Sequence, residues 1–141
     1  RPQGRANAAG AGATINGGGG MVVVGNFIGL ALNGVTVAGN GGNGLELNAS
    51  FGNIIGGTTA QDRNVISGNN GNGISINASS RNQTVGNYIG TDVTGTLDRG
   101  NAGIGVLEMA GAAGNSIGGV ATGGNDPTNN VFVRPPQGDL I

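Results

Sequence analysis

The chain contains no cysteine, no histidine, no tryptophan and no lysine. Without cysteine there are no disulfides, thiolate metal sites or thiol nucleophiles. Without histidine and lysine it lacks the commonest general acid–base residue, the favoured neutral metal ligand and the Schiff-base amine. Charge is scarce as well: six arginines oppose seven acidic residues, for a net charge of −1 and 9% charged residues in 141. That balance excludes both the basic footprint of a nucleic-acid binder and the charge density of a solvated disordered tail. The longest apolar run is Met21-Val22-Val23-Val24, far short of the ~18 residues of a membrane-spanning helix. The sequence opens at Arg1 with neither an initiator methionine nor a signal-peptide pattern, which reads as a processed form or a piece of a larger polypeptide.

Small residues fill the space that these leave. There are 33 glycines, 20 asparagines and 15 alanines, a composition foreign to ordinary helical or mixed domains. Self-similarity organises it. Val24-Gly25-Asn26-Phe27-Ile28-Gly29 returns as Val85-Gly86-Asn87-Tyr88-Ile89-Gly90, a spacing of 61 from Val24 to Val85. Gly34, Gly39 and Asn40 match Gly95, Gly100 and Asn101 at the same spacing. Gly52-Asn53-Ile54-Ile55-Gly56-Gly57 likewise returns as Gly114-Asn115-Ser116-Ile117-Gly118-Gly119.

A shorter period lies inside this double unit. Taking Ile15, Leu47, Ile76 and Val106 as equivalent gives spacings of 32, 29 and 30. Each period of roughly 30 holds three apolar triplets, such as Leu45–Leu47, Asn53–Ile55 and Asn64–Ile66. They are too short for helices and rich in β-branched residues, with Gly and Asn between them. Such short strands bury a core only by stacking successive coils, each strand pairing above and below. The expected fold is therefore all-β, a parallel β-solenoid of four to five coils with three short strands per coil. It forms a single domain over residues 1–141, with a repeat body of about 13–133 and end segments 1–12 and 134–141. Proline supports this, because a residue without N–H has no place in an interior ladder; the four prolines are Pro2, Pro127, Pro135 and Pro136.

Asn16, Asn48 and Asn77 each close the first strand of a coil. They read as a structural ladder, in which amides bond to their equivalents one coil away. Phe27 and Tyr88, which occupy equivalent positions of the double unit, read as aromatics packed in a corner of the repeat.

Asn64-Val65-Ile66-Ser67-Gly68-Asn69, Gly73-Ile74-Ser75-Ile76, Gly86-Asn87-Tyr88-Ile89-Gly90-Thr91-Asp92 and Asn53-Ile54-Ile55-Gly56-Gly57 resemble motifs of the right-handed parallel β-helix proteins, the pectate-lyase-like group in its bacterial surface and secreted forms. The resemblance covers about residues 13–133 and implies right-handed winding. It implies no single activity, because the group includes lyases, hydrolases and epimerases alongside non-catalytic cell-surface modules.

Chemistry on the solenoid is sparse. The column outside the first strand reads Thr14, Glu46, Ser75 and Gly105, which offers one carboxylate where glycoside hydrolysis needs two. Asp62-Arg63, Asp98-Arg99 and Asp126 precede third-strand positions. If stacked, these three aspartates would repel one another unless Arg63 and Arg99 neutralised them. They are the candidate site for a polysaccharide-active alternative; the competing reading is turn-forming Asp on a solvent edge. Gly41–Leu47 has Glu46 where a calcium nonapeptide has Asp, and Gly17–Gly20 lacks the Lys of a phosphate loop. No metal or cofactor is expected.

Neither end carries an amphipathic helix to cover the unpaired edges of a solenoid. Arg1-Pro2-Gln3-Gly4 also echoes Arg134-Pro135-Pro136-Gln137-Gly138. The expectation is a non-catalytic structural module, extracellular or at the cell surface, whose partners are copies of itself stacked head to tail into a filament. Polysaccharide is the alternative partner; no nucleic acid and no membrane insertion are expected.

Overall fold

A computed structural model describes residues 3–118 and the strand Val131–Phe132. Asp126 and residues 134–141 lie outside the described residues. The described residues form an all-β parallel solenoid without helix, built on three parallel sheets.

The path visits the three sheets in strict rotation. β1 (Gln3–Arg5) is followed by β2 (Ala13–Asn16), β3 (Val22–Val23) and β4 (Asn26–Ile28). The next coil is β5 (Leu45–Asn48), β6 (Ile54–Gly56) and β7 (Val65–Ile66), and the next is β8 (Ile74–Asn77), β9 (Gln83–Val85) and β10 (Tyr88–Ile89). β11 (Val106–Met109), β12 (Ser116–Ile117) and β13 (Val131–Phe132) follow. One sheet, here called sheet A, has the order β1-β4-β7-β10-β13; sheet B is β2-β5-β8-β11 and sheet C is β3-β6-β9-β12. The described residues make about three full turns, the three steps between the four strands of sheet B, against the four to five coils expected from the full length of 141. Two eight-residue hairpins, 30–37 after β4 and 91–98 after β10, and a loop at 57–63 carry residues outside the stack.

These excursions set the coil length. The register advances by 32 from Ala13 to Leu45, by 29 from Leu45 to Ile74, and by 32 from Ile74 to Val106. The coils with a hairpin are the longer ones, which is why the sequence repeats most clearly over two coils rather than one. The same pairings correct the last register. Val106 lies beside Ile74, not Ile76, and the column outside sheet B ends in Leu107 rather than Gly105.

Alternation along each strand sends one set of side chains inward. Ile28, Leu45, Leu47, Ile55, Ile66, Ile74, Ile76, Ile89 and Val106 form one buried axial cluster. Between the sheets the chain turns at three corners, each lined by buried asparagine. Asn26 Nδ2 donates to Asn64 Oδ1 at 3.0 Å and Asn64 Nδ2 to Asn87 Oδ1 at 2.9 Å. Asn40 and Asn69 do the same toward Asn69 and Asn101, both at 2.8 Å. Asn53 and Asn82 donate toward Asn82 and Asn115, at 2.8 and 3.0 Å. Each acceptor Oδ1 also takes the backbone N–H of the donating residue, for example Asn53 N–H to Asn82 Oδ1 at 2.9 Å. The turn thus satisfies backbone that sheet pairing leaves over.

The ladder expected at Asn16, Asn48 and Asn77 is present at the exit of sheet B, at the surface and with the opposite polarity: Asn48 Nδ2 donates down to Asn16 Oδ1 at 3.0 Å and Asn77 Nδ2 to Asn48 Oδ1 at 3.5 Å. It ends at Met109, which takes the register position of Asn77.

Candidate functional site

The most elaborated surface is the outer face of sheet A. Phe27, Val65 and Tyr88 are in mutual register on β4, β7 and β10, on the face opposite Ile28, Ile66 and Ile89. Phe27 and Val65 with Leu30 form a second small apolar cluster, against which Tyr88 packs. The two aromatics therefore lie in strands rather than at a corner, and the hairpins fold over them. Gly34 and Gly95 are forced to be glycine here: each has positive φ, and a Cβ would press on Phe27 and Val93 at the first position and on the Tyr88 ring at the second.

The hairpins are tied to each other. Val93 N–H donates to the Gly34 carbonyl at 2.8 Å. Arg99 Nε reaches the Val35 carbonyl at 2.7 Å, and another of its guanidinium nitrogens reaches the Asp98 carbonyl at 2.6 Å. Arg63 lies with its guanidinium 4.0 Å from the Tyr88 ring centroid and donates through Nε to the Gly86 carbonyl at 3.2 Å. Both arginines thus work as structural ties: one braces the hairpins and the other covers an aromatic face.

Asp92, buried, organises the second hairpin. Its Oδ1 accepts from Thr94 N–H at 3.1 Å, Thr94 Oγ1 at 2.7 Å, Thr96 N–H at 3.2 Å and Leu97 N–H at 3.2 Å. Burial acts to raise its pKa, but the hydrogen bonds outweigh it and hold the carboxyl below the ordinary value. In the first hairpin Asn33 takes this part, its Oδ1 accepting from Val35 and Thr36 N–H, both at 2.9 Å.

The proposed acidic set is not gathered in one place among the described residues. Asp62 lies in the 57–63 loop at the entry to β7, against Gly57. Asp98 closes the hairpin past the exit of β10, its Oδ1 accepting Gly100 N–H at 2.9 Å. The two stand at opposite ends of parallel strands, and Asp126 lies outside the described residues. Glu46 on the outside of β5 accepts Asn43 Nδ2 at 2.8 Å. Among the described residues no group of three acidic side chains could hold a metal ion.

Two shallow grooves mark the surface. One, of about 540 Å³, runs beside the first hairpin and is lined by Val35, Thr36, Val37, Asp98 and Arg99. The other, of about 360 Å³, follows the corner after sheet B and is lined by Ala49, Ser50, Phe51, Ala78, Ser80 and Arg81. Phe51 there is 58% exposed.

The N-terminal rim is the remaining candidate. Among the described residues no strand pairs with the outer edge of β2 or β3. Met21, Val22 and Val24 around β3 are 52%, 61% and 39% exposed. Two buried ladders also stop there, because Ala8 and Met21 offer only a backbone N–H to Asn40 Oδ1 and Asn53 Oδ1, each at 3.0 Å.

Sequence reading missed Asp92 and the three corner ladders. The ladders had a signal, since Asn40, Asn69 and Asn101 recur at spacings of 29 and 32. Asp92 had only its place at the end of the Gly86–Asp92 motif, since its counterpart one double unit earlier is Ala31. No protein-family model, curated protein or solved structure matches the chain.

Proposed function

We propose that the chain is a non-catalytic structural module of an extracellular or cell-surface assembly, in which solenoids stack end to end between copies and extend into a filament. The observation that carries this reading is the N-terminal rim, where the outer edges of β2 and β3, which no described strand pairs, lie beside exposed Met21, Val22 and Val24. Parallel strands whose neighbours already pair in register are templates for another strand of the same polarity. The rims at the two ends of one solenoid differ, so contact between them is heterologous and propagates. The described polar side chains support the same reading, because Asp92, Arg63, Arg99 and the asparagines are engaged in holding turns and hairpins. The motif resemblance to right-handed parallel β-helix surface proteins supports the location and the winding.

Electron microscopy and sedimentation velocity over a concentration series test the proposal. Fibres or a ladder of oligomers are expected. A monodisperse species of 13.5 kDa at high concentration overturns it.

A glycan-active or glycan-binding surface is the second reading, favoured by the groove that brings Asp98 and Arg99 beside Val35 and Thr36. It expects turnover or binding on acidic polysaccharides that disappears in the Asp62→Ala, Asp98→Ala double variant. Unchanged behaviour on a glycan panel removes it.

A further inference from the structure

Among the described residues the three sheets do not have the same number of strands. Sheet A has five, whereas sheets B and C have four each, because the described path both opens and closes on sheet A. β1 lies outside β4 at one end, and β13 lies outside β10 at the other. This count constrains any end-to-end stack, and its consequence rests on the stacking of copies proposed above.

If β2 of one copy pairs on β11 of another, and β3 on β12, all the strands of sheets B and C continue without a gap. Sheet A then has one strand position between β10 of the first copy and β4 of the second. Two strands claim it: β13 of the first copy and β1 of the second. Keeping both would separate β11 from β2 by a missing strand and leave a row of buried N–H and C=O groups unpaired.

We propose that β1 is a displaceable plug, and that copies join by exchanging it for β13 of the neighbouring copy. The registers favour the exchange. β1 sets Gly4 beside Phe27 and Arg5 beside Ile28, the latter in the column that faces the axial core. β13 sets Val131 beside Tyr88 and Phe132 beside Ile89, the same two columns. On β4 of the next copy, Val131 and Phe132 would therefore take the register positions that Gly4 and Arg5 vacate. Apolar residues replace a glycine and an arginine at positions defined by apolar neighbours.

The hydrogen bonds at the Arg5 position carry over in the exchange. The Arg5 carbonyl accepts Gly29 N–H at 2.8 Å and Asn40 Nδ2 at 2.9 Å, and any strand in that register brings a carbonyl to the same point. All three residues of β1 are exposed, so little packing opposes its release. While it stays in place, it covers the edge of β4 and keeps the rim from pairing in full, which restrains an otherwise open edge.

The test uses the full chain in three forms: parent, Arg5→Pro and Arg5→Val. Proline removes an N–H from the pairing of β1 with β4 and loosens the plug. Valine puts an apolar, strand-favouring residue in the core-facing column and tightens it. Sedimentation velocity reads the concentration at which the mean mass doubles, and circular dichroism and thermal melting establish that each variant is folded. Arg5→Pro is expected to lower that concentration at least tenfold and Arg5→Val to raise it at least tenfold. If parent and both variants assemble alike, the plug is wrong and end-to-end stacking stands. If neither the parent nor Arg5→Pro assembles, end-to-end stacking itself fails. Should Arg5→Pro not fold, assembly by Arg5→Val at the parent's concentration is enough to overturn the plug.

Discussion

Glu108 pairs in register with Ile76, so the core-facing column of sheet B runs Ile15, Leu47, Ile76 and then a carboxylate. Ile76 and Leu47 are fully buried, and Glu108 is exposed. A charge at the inward position of a last strand makes further pairing costly, since the next strand would bury it without a partner. In a stack, the residue arriving over Glu108 is Ile15 of the next copy.

Glu108→Leu is therefore expected to tighten self-association by tenfold or more, which corresponds to about 1.4 kcal/mol. It is also expected to leave the monomer fold intact or stabilise it by up to about 1 kcal/mol through apolar contact with Ile76. Sedimentation velocity and thermal melting check the two parts. A variant that associates no more readily than the parent shows that this rim takes no part in assembly.

The buried and surface ladders separate in their energetic weight. Asn69 Oδ1 takes both Asn40 N–H and Nδ2, while its own N–H and Nδ2 donate to Asn101 Oδ1. Asn69→Ala leaves the buried Asn40 N–H without its acceptor and takes one partner each from Asn40 Nδ2, the Ile28 carbonyl and Asn101 Oδ1, at about 1–3 kcal/mol for each group left unsatisfied. The variant is expected to lose about 3–5 kcal/mol in urea unfolding. Asn48→Ala removes surface bonds at 3.0 and 3.5 Å, for an expected loss of about 1 kcal/mol or less. Equal losses would show that burial is not what gives the corner ladders their weight.

The period, the three strands per coil and the parallel stacking were legible because they impose themselves on every coil. Ile28, Ile66 and Ile89, for instance, need the same neighbours at each level. The end of sheet B was not. Ile104-Gly105-Val106 imitates Ile74-Ser75-Ile76, and only the extra length of a hairpin-bearing coil shifts Val106 onto Ile74. The hairpins themselves left a trace in the two-coil repeat, but nothing in Leu30–Val37 announced that it would cover Phe27. Asp62 and Asp98 stand apart for a topological reason: both neighbour sheet A strands, one before its strand and one after. A local likeness of Asp-Arg pairs carries no information about that order.

Left-handed backbone supplies a third test. Ala49 and Ala78 adopt φ of 48° and 49° in the turn after the surface ladder, a conformation that costs L-residues about 1–2 kcal/mol. Gly17 holds the equivalent turn one coil earlier with φ of 67°. Ala78→Gly is expected to change stability by no more than about 1 kcal/mol, toward stabilisation, the relief of strain being offset by greater unfolded-state entropy. Gly56→Ala should do the opposite and more strongly, because Gly56 has φ of 91° and an added Cβ would run into the Val85 carbonyl of the next coil. A loss above about 3 kcal/mol is expected there. Denaturant titration of both variants checks the contrast.

Asp92 gives the molecule a local acid response. Four hydrogen bonds to its Oδ1 hold the pKa below the ordinary 3.8 in spite of burial. A carboxyl whose folded pKa is depressed binds its proton more readily in the unfolded segment. It therefore contributes stability that is fully present above the unfolded value and is lost as pH falls through the folded one. The hairpin 91–98 should accordingly open below about pH 4, while the axial core of Ile28, Ile66 and Ile89, which contains no titrating group, stays closed. Hydrogen exchange at the Thr94, Thr96 and Leu97 amides, once corrected for its intrinsic pH dependence, is expected to accelerate over that acid range and to be flat from about pH 5 to about pH 8. Asp92→Asn keeps an Oδ1 acceptor without the charge, so its exchange should be insensitive to acid, and Asp92→Ala should expose these amides at every pH. An acid response that survives in Asp92→Asn would place its origin in another group.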